Sequence, residues 1–397
     1  MKLWQKGYKL NREVEKFTVG NDYILDQRLV KYDCIISIAH VTALCDAGLI
    51  TEEEKKSLIK TLDEIIKLAD KGKFMIKPEE EDCHTAIDNF VIEKLGVAGE
   101  AIRIGRSRNE RIIGSLRLYY VEKLGEIIHN INQLVESLKD FARKYRRVII
   151  PGYTHMRKAM PLSISLWAKS YVESMKDNIK LLEFLSNFLN TSPLGTGAGF
   201  GIPIKLDRKL IAQHVGFRSI QKNPLYVQCS RGKFEALLLD GLTQVMMDLN
   251  RLSSDIILFS MSEFGFFKIP KELCTGSSLM PHKLNPDALE IVRSKYHAVL
   301  AASVQVKSTV SNLIAGYHRD FQVMKEAAIT SIDTTIDCLK IMVLFVENLD
   351  IDRKKCEKSL TEDLFSVDKL HELVVKEKMS FKDAYRLMAE KHLKKIL

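Results

Sequence analysis

The stretch CTGSSLMPHKLNPDAL, residues 274–289, has the composition of a chemical site rather than of a simple connection. Long helical patterns lie on both sides of it, yet it combines a Gly-Ser-Ser run and two prolines with Lys283 and Asn285. A positive ammonium, an amide donor and a helix start after Pro286 are together the components of an anion site. An exposed, serine-rich connection between helices is the commoner explanation of Gly-Ser-Ser, and this loop alone leaves both interpretations open.

Four other polar stretches interrupt the helical pattern, each at or beside a predicted helix end, where free backbone N–H groups and polar side chains converge. Arg106 and Arg108 suit carboxylate binding through forked hydrogen bonds, and a solvated helix cap is the alternative. His155 follows a Tyr-Thr pair at an expected helix start, although a lone histidine is more often an ordinary hydrogen-bonded residue. The stretches are GRSRNE (105–110), PGYTHMRKAMP (151–161), SPLGTGAGFG (192–201) and GYHRDFQVMKE (316–326).

Composition predicts a globular protein of the reducing cytoplasm. The chain has 397 residues, of which 46% are hydrophobic and 28% charged, enough to bury a sizeable core. Its seven cysteines are scattered and never in CxxC spacing, which argues against a disulfide framework or a zinc site. No apolar run is long enough to cross a membrane, and the N-terminal MKLWQKGYKL lacks the apolar run of a secretory signal.

The net charge of +9 comes mostly from dispersed lysines, which indicates a solvated surface. A nucleic-acid partner would require a basic patch with stacking aromatics, and the sequence has neither. A small anionic substrate is compatible with this charge, because a positive field raises its local concentration. We therefore expect a small-molecule substrate and neither a nucleic acid nor a membrane as partner.

Hydrophobic periodicity predicts an all-α protein built on a bundle of long helices. Thr51 and Glu54 form a capping box ahead of a helix with one apolar face. Between Leu124 and Phe141 the apolar residues follow the seam of a helix bundle. The stretch 234–264 is apolar nearly all round, as a central helix should be. We predict an N-terminal helical domain (1–104), a central long-helix bundle (105–350) and a small C-terminal helical domain (351–397).

Together the five polar stretches resemble, in the same order along the chain, the motifs of the fumarase/aspartase superfamily, most closely the argininosuccinate lyase family. GSSLMPHKLNPD is similar to the flexible-loop signature of the superfamily. SRN (107–109), YTH (153–155), PLGTGA (193–198) and YHRDFQVMKE (317–326) resemble the other regions of the family. EEEDCHTAID (79–88) resembles its acidic-His segment, and the residues after 363 its C-terminal domain. The resemblance covers essentially the whole chain.

The resemblance implies an elimination in which argininosuccinate gives L-arginine and fumarate, without a cofactor or a metal. A proton leaves the carbon beside a carboxylate, and the C–N bond then breaks. That C–H is a very weak acid, and the intermediate is an aci-carboxylate that carries two negative charges. It needs preorganised positive charge and donors, which Lys283 and Asn285 are expected to supply.

The resemblance also implies a role for each site residue. Ser277 is the expected base, active only if loop closure excludes water. His155, oriented by Glu290, is expected to assist protonation of the departing amine. The family assembles as a homotetramer whose sites draw segments from three chains. The residues expected to hold the carboxylates and the guanidinium end of the substrate are Ser107, Arg108, Asn109, Thr154, Arg231, Tyr317, Gln322 and Lys325.

Four positions depart from the usual pattern of the family and put the substrate contacts in question. Arg157 stands where the family usually has Gln, two positions after His155. Glu110 and Arg111 replace the usual Asp-Gln after SRN, and Asp22 replaces a serine that many members carry. The acid–base residues are unaffected by these changes.

Two other functions are compatible with the same fold. The sister enzyme adenylosuccinate lyase often shares the MPHK run, but Asp287, the SRN triplet and the YHRDFQ segment argue against it. A non-catalytic structural protein, as in lens crystallins, is the alternative from another class. Intact Ser277 and His155 argue against that loss of function.

Overall fold

The computed structural model describes residues 10–396, with side chains through Lys391. Helices dominate it, which confirms the all-α prediction. The N-terminal MKLWQKGYKL, expected to contain no secretory signal, lies outside the described residues except for its last position. None of the described helices is both long and apolar enough to cross a membrane. The α-helices are α1 Arg12–Val19, α2 Asp22–Leu25, α3 Val30–Asp46, α4 Glu52–Asp70, α5 Cys83–Leu95, α6 Val97–Glu100, α7 Arg108–Lys144, α8 Ile164–Leu189, α9 Arg208–Val215, α10 Pro224–Cys229, α11 Lys233–Ser260, α12 Asp287–Val310, α13 Gln322–Asn348, α14 Arg353–Ser359, α15 Ser366–Val375 and α16 Phe381–Ile396.

Short strands form four two-stranded sheets in the described part of the chain. Three of these sheets are antiparallel, and the pair of β3 with β4 is parallel. The strands are β1 Ile149–Thr154 with β2 Arg157–Ser163, β3 Thr191–Ser192 with β4 Ser219–Ile220, β5 Phe267–Lys268 with β8 Asp350–Ile351, and β6 Thr275–Gly276 with β7 Leu284–Asn285.

Contacts divide the chain into two compact units that are interleaved along the sequence. The first unit holds the residues up to 128 together with 180–244 and 298–335. The second holds 129–179, 245–297 and the residues from 336 onward. The five longest helices, of 24 to 37 residues, contribute residues to both. The three consecutive domains inferred from the sequence stay a prediction.

Local signals explain where the helices begin and which faces they bury. At the start of α4 the Glu54 backbone N–H donates to Thr51 Oγ1 (3.2 Å), and the Thr51 N–H donates to Glu54 Oε2 (2.7 Å). The predicted capping box is therefore confirmed. Leu58, Leu62 and Ile65 on the apolar face of α4 are fully buried.

The long helices bury the predicted apolar positions. In α7 the predicted seam is buried from Leu124 to Phe141, apart from Ile128, which is half-buried. In α11 the core positions are fully buried: Leu238, Leu239, Leu242, Val245, Met246, Leu249, Leu252 and Ile256. Helix packing of this kind holds the loops and helix ends that carry the polar stretches.

All seven cysteines are free thiols. Four of them, Cys34, Cys83, Cys338 and Cys356, are buried, as expected for thiols of a reducing compartment, whereas Cys229 is exposed. Burial raises the pKa of Cys34 and of Cys83 well above the ordinary value. These two thiols are therefore protonated, and they behave as small apolar core groups.

Candidate active site

The first unit contains a cavity of about 390 Å³ in which most of the lining residues are polar or charged. Six of the eight residues predicted to bind substrate line it: Arg108, Asn109, Arg231, Tyr317, Gln322 and Lys325. The residues that sequence reasoning did not assign to the site are Asp22, Asp26, Asp82, His84, Ile112, Arg319 and Phe321. A cavity with both acidic and basic walls suits a ligand that carries both charges.

The lysine of this cavity is held by two carboxylates. The buried Lys325 ammonium donates to Asp26 Oδ1 at 2.5 Å and lies 2.8 Å from Asp22 Oδ1. Burial lowers the pKa of Lys325, but the charges of Asp26 and Asp22 outweigh it and raise the pKa to about 12. The opposite balance holds at Asp22, where burial outweighs the charge of Lys325 and raises the pKa of the carboxyl. Lys325 is thus a permanent cation in the cavity.

Arg231 is a second cation in the lining of the cavity, and two aromatic rings lie beside its guanidinium group. Its guanidinium carbon lies 4.7 Å from the centre of the Phe321 ring and 5.5 Å from that of Tyr317. Its Nε and Nη1 atoms are buried and have no hydrogen-bond partner within the described residues. Burial lowers the pKa of Arg231. A guanidinium that is stacked on rings and has unused donors is prepared to bind a carboxylate.

Arg108 and Gln322 already have partners on the protein. Arg108 pairs with Asp82 (2.5 Å) and Glu81 (3.3 Å), so two acidic side chains hold it in place. Gln322 donates through Nε2 to the Thr18 carbonyl oxygen at 3.0 Å, which leaves its amide oxygen as the side toward a ligand. The neighbouring Arg106 donates to Ser37 Oγ at 2.9 Å.

Ser107, predicted to bind substrate, acts as the cap of α7. Its Oγ accepts from the Asn109 N–H at 3.2 Å, and its own N–H donates to Glu110 Oε1 at 3.2 Å. The second oxygen of Glu110 accepts from the N–H groups of Thr196 (2.6 Å) and Gly197 (3.0 Å). The Glu110 side chain, one of the departures from the family pattern, therefore connects the PLGTGA stretch to the start of α7. This connection positions Arg108 and Asn109, which are the first two residues of that helix.

His84 was missed as a site residue, although its segment carried the signal in EEEDCHTAID. Its Nδ1 lies 2.9 Å from Asp33 Oδ1, and its Nε2 is buried without a partner among the described residues. His84 is 2% exposed and lines the cavity. Asp33 is ionised because its pKa is well below the ordinary value: burial raises it, but the charge of Arg111 and the contacts with His84 prevail. The ionised Asp33 accepts the hydrogen bond from His84 Nδ1, so Nε2 is the ring nitrogen of His84 that remains without a partner among the described residues.

One group of potential metal ligands lies at the same place. Asp26, Cys83 and His84 each offer an atom, and these atoms lie within 4.8 Å of one another. The donor set does not fit a divalent metal, because Asp26 already accepts from the Lys325 ammonium and, at 3.2 Å, from the Cys83 N–H. The Cys83 thiol is protonated, whereas a metal ligand must be a thiolate.

Arg111, the other departure beside Glu110, lies in a buried charge cluster behind the cavity wall. It donates to Asp33 through Nε (3.2 Å) and Nη2 (2.5 Å) and to Asp88 through Nη1 (2.9 Å). Asp33 in turn holds His84, so Arg111 supports the cavity without lining it. Its role is to neutralise two buried carboxylates.

Arg111→Gln is therefore expected to lower the free energy of unfolding by about 3–5 kcal/mol, because it leaves buried carboxylates without their cation. The measurement is urea unfolding at one fixed protein concentration. The control is Arg143→Gln, whose pair with Asp140 is exposed and is worth about 0–1 kcal/mol. Equal, small losses in both variants would contradict the neutralising role of Arg111.

The Gly-Ser-Ser stretch is the loop of a hairpin in the second unit. Strands β6 and β7 pair Gly276 with Leu284, so Ser277 and Lys283 are the first and last residues of the loop. The N–H groups of Leu279 (3.3 Å) and Met280 (3.0 Å) donate to Ser277 Oγ. Thr275, at the base of the hairpin, donates to the Asp287 carboxylate at the start of α12. The loop therefore begins at the Ser277 hydroxyl and ends at the Lys283 side chain. The hydrogen bond of Thr275 with Asp287 holds the base of the hairpin to the start of α12.

Two further residues that were predicted to be catalytic, Asn285 and Glu290, follow the loop along the chain. Asn285 lies on β7 opposite Thr275, and Glu290 is exposed in the first turn of α12. Lys283 is exposed as well, and its N–H donates to the Met280 carbonyl oxygen at 3.0 Å. The predicted helix after Pro286 is confirmed as α12.

His155 stands at the tip of a second hairpin, and its expected position at a helix start is wrong. Strands β1 and β2 pair Thr154 with Arg157, which leaves His155 and Met156 as a two-residue turn with φ of 52° and 58°. Positive φ at both turn positions is the conformation that follows the twist of a hairpin. The tip exposes Thr154, His155 and Arg157, and within the described residues His155 makes no hydrogen bond or ion pair with Glu290.

The sequence matches the model of a lyase family, described as "Lyase", over residues 12–301. It is 49% identical to an argininosuccinate lyase of Thermotoga neapolitana, with 98% of each chain covered. It is 36% identical to an argininosuccinate lyase of Sorangium cellulosum, over 98% of this chain and 90% of the relative.

Among solved structures, a variant of EDDS lyase with bound fumarate matches with a TM-score of 0.81 at 21% identity. The match covers 98% of this chain and 77% of that chain. At this identity the likeness concerns the fold.

Proposed function

The chain belongs to the argininosuccinate lyase family, and from this premise we propose that it carries out the reversible β-elimination of argininosuccinate to L-arginine and fumarate. The observation that carries the proposal is the Ser277 turn, in which two backbone N–H groups donate to Oγ in a loop that ends at Lys283. We infer a place in arginine biosynthesis in the cytoplasm from the same premise.

Ser277 acts as the base in this proposal. A serine hydroxyl is a poor base in water, since its alkoxide is strongly disfavoured. The N–H groups of Leu279 and Met280 stabilise that alkoxide, and the ammonium of Lys283 adds positive charge at the other end of the loop. Closure of the loop over substrate excludes water and strengthens both effects.

Lys283 and Asn285 stabilise the aci-carboxylate that forms once the proton has left. The intermediate carries two negative charges on one carboxylate, so donors fixed before the reaction lower its energy most. Asn285 is held on β7 and Lys283 directly precedes that strand, so the hairpin fixes their spacing. His155, with Glu290 as its orienting partner, then assists protonation of the departing amine.

The cavity of the first unit binds the substrate. Arg231 takes a carboxylate through its unused donors, and Lys325, Tyr317 and Gln322 add polar contacts. Arg108 and Asn109 complete the polar wall, Ser107 sets the start of their helix, and Thr154 belongs to the His155 hairpin.

The test is fumarate release, followed in the ultraviolet, with argininosuccinate and adenylosuccinate offered in parallel. We expect release from argininosuccinate alone. Release from adenylosuccinate would assign the chain to the sister activity, and release from neither would leave a non-catalytic, crystallin-like protein.

We further infer a homotetramer in which each site draws segments from three chains, as the family resemblance implies. Helix α12 supports the assembly, since it exposes Leu300 and Val304 one turn apart on the same face, where a second copy would bury them. In such an assembly Ser277 and His155 of one site belong to different chains.

Shared sites predict recovery of activity in mixtures. Ser277→Ala and His155→Ala proteins are each expected to be inactive, and a pair unfolded together and refolded in equal amounts should regain about a quarter of the sites. The control mixes Ser277→Ala with Lys283→Met, which cannot recover because both residues lie on one loop. No recovery in mixed tetramers, identified by native mass spectrometry, would place Ser277 and His155 of a site on one chain.

A further inference from the structure

Arg117 of α7 is a buried cation that the proposed mechanism does not use. Its residue is 2% exposed, and the acceptors of its hydrogen bonds are neutral oxygens. Burial lowers the pKa of Arg117 to about 10, although the charge of Glu235 opposes this shift, so the guanidinium is charged near neutral pH. Keeping a cation in the interior costs free energy that an apolar side chain would avoid. What Arg117 adds over an apolar residue is therefore its set of directed contacts.

These contacts join separate stretches of the first unit. The Nη1 atom of Arg117 donates to the Thr191 carbonyl oxygen at 2.6 Å, and Nη2 donates to Gln221 Oε1 at 2.8 Å and to Ser230 Oγ at 3.4 Å. Gln221 also donates to Ser230 Oγ through Nε2, at 3.0 Å. The guanidinium carbon lies 4.3 Å from the centre of the Phe234 ring. Ser230 and Phe234 are thus both held against α7.

Arg231 lies between these two held residues, in the turn that joins α10 to α11. Ser230 directly precedes it. Gly232 directly follows it with a φ of 79°, and a Cβ atom at Gly232 would come within 2.3 Å of the Val310 side chain at the end of α12. The turn is therefore fixed by Arg117 on one side and by close packing on α12 on the other.

The direction of the Arg231 side chain depends on this turn. Its Nε and Nη1 atoms have no hydrogen-bond partner among the described residues. Its guanidinium is placed instead by the rings of Tyr317 and Phe321, at 5.5 and 4.7 Å. Ring contacts of this kind restrain a guanidinium less strictly than hydrogen bonds do, so the backbone position of Arg231 decides where its free donors point.

We propose that Arg117 is a positioning residue for the reaction: its forked hydrogen bonds and its contact with Phe234 hold the turn that directs Arg231 at a carboxylate of the substrate. The inference rests on the proposed function, in which Arg231 takes that carboxylate. A lysine would keep the charge at this position, but it has neither the planar fork nor the flat face of a guanidinium. Geometry and charge can therefore be separated by experiment.

Arg117→Lys and Arg117→Met are compared in the Ser277→Ala protein, which is expected to bind argininosuccinate without turning it over. Calorimetry with argininosuccinate gives the affinity. Loss of a charged hydrogen bond corresponds to roughly 10- to 150-fold in affinity, and we expect both substitutions to weaken binding about tenfold or more because Arg231 is misdirected.

Steady-state kinetics without the Ser277 substitution distinguish positioning from a role in stability. Arg117→Lys should raise KM and leave kcat within a few-fold, since the carboxylate that Arg231 takes is present in the substrate and in the transition state alike. A role in stability alone would lower the active fraction, and with it the apparent kcat, at unchanged KM.

The coupling between Arg117 and Arg231 is the sharpest readout. In a protein that already carries Arg231→Met, Arg117→Lys should weaken binding no further, because the side chain through which it acts is gone. Ser230→Ala removes one oxygen of the network, keeps both guanidinium groups and should raise KM in the same sense, so it tests the network if an Arg117 variant does not fold. Thermal unfolding reports the folding of each variant. The control is Arg143→Lys, the same substitution at an exposed position of α7, which should change neither constant.

Unchanged affinity in Arg117→Lys beside weakened binding in Arg117→Met would assign a role through charge alone and overturn the positioning role. An equal loss from Arg117→Lys with and without the Arg231 side chain would overturn it as well. Fumarate release by the unmodified protein separates the two ideas. Release together with unchanged affinity in both Arg117 variants overturns this inference alone, binding without release overturns the proposed function alone, and absence of binding overturns both.

Discussion

The Ser277→Ala protein is expected to lose turnover while it binds argininosuccinate within a few-fold of the unmodified protein. Removing a general base costs on the order of 10²–10⁴ in rate, and here no other group of the loop offers an equivalent oxygen held by two N–H donors. Binding is retained because the substitution removes no charge. Fumarate release at saturating substrate gives the rate, and calorimetry gives the affinity.

Ser278→Ala is the matched control, since Ser278 is the exposed second serine of the pair. It should keep its rate within a few-fold, because its hydroxyl is not the one that Leu279 and Met280 hold. Appreciable kcat in Ser277→Ala would assign the base to another residue. Equal losses in both variants would show that the loop tolerates no change and that the hydroxyl is not the cause.

The Lys283→Met protein should lose about 10²–10³ in kcat, because a preorganised donor no longer faces the aci-carboxylate. KM should change little, since the second negative charge on that carboxylate exists only after the proton has left. Steady-state kinetics with argininosuccinate separate the two constants.

Lys271→Met provides the control, an exposed lysine that lies before the hairpin. It removes one positive charge from the surface, so a rate loss there would reveal a general field effect rather than a local one. A Lys283→Met protein that merely raises KM would show Lys283 to be a binding residue only.

Features that depend on neighbouring residues were predictable from the sequence. The capping box of Thr51 and Glu54 spans three positions, and the buried seam from Leu124 to Phe141 follows from helical periodicity. The all-α class follows from several such helices. The predicted start of α12 also has a local cause, namely Pro286 directly before the first residue of the helix.

The turn at His155 was not predictable in the same way. Its two hairpin strands are short and include Pro151 and Pro161, so alternation of apolar and polar residues is weak there. The pairing of β1 with β2 sets the positive φ of His155 and Met156. Helical periodicity in the sequence does not predict this pairing.

The chemistry of each group in the cavity depends on partners far along the chain. Lys325 and Asp26 are 299 positions apart, and Arg111 and Asp33 are 78 apart. The resemblance of the motifs to those of the family is the reason why Ser277, Lys283 and Arg231 could be chosen as site residues before any contact was known. Burial, charge pairing and unused donors arise only when distant segments meet in a low-dielectric interior, and these decide that Asp22 faces Lys325 and that His84 offers its Nε2 to the cavity.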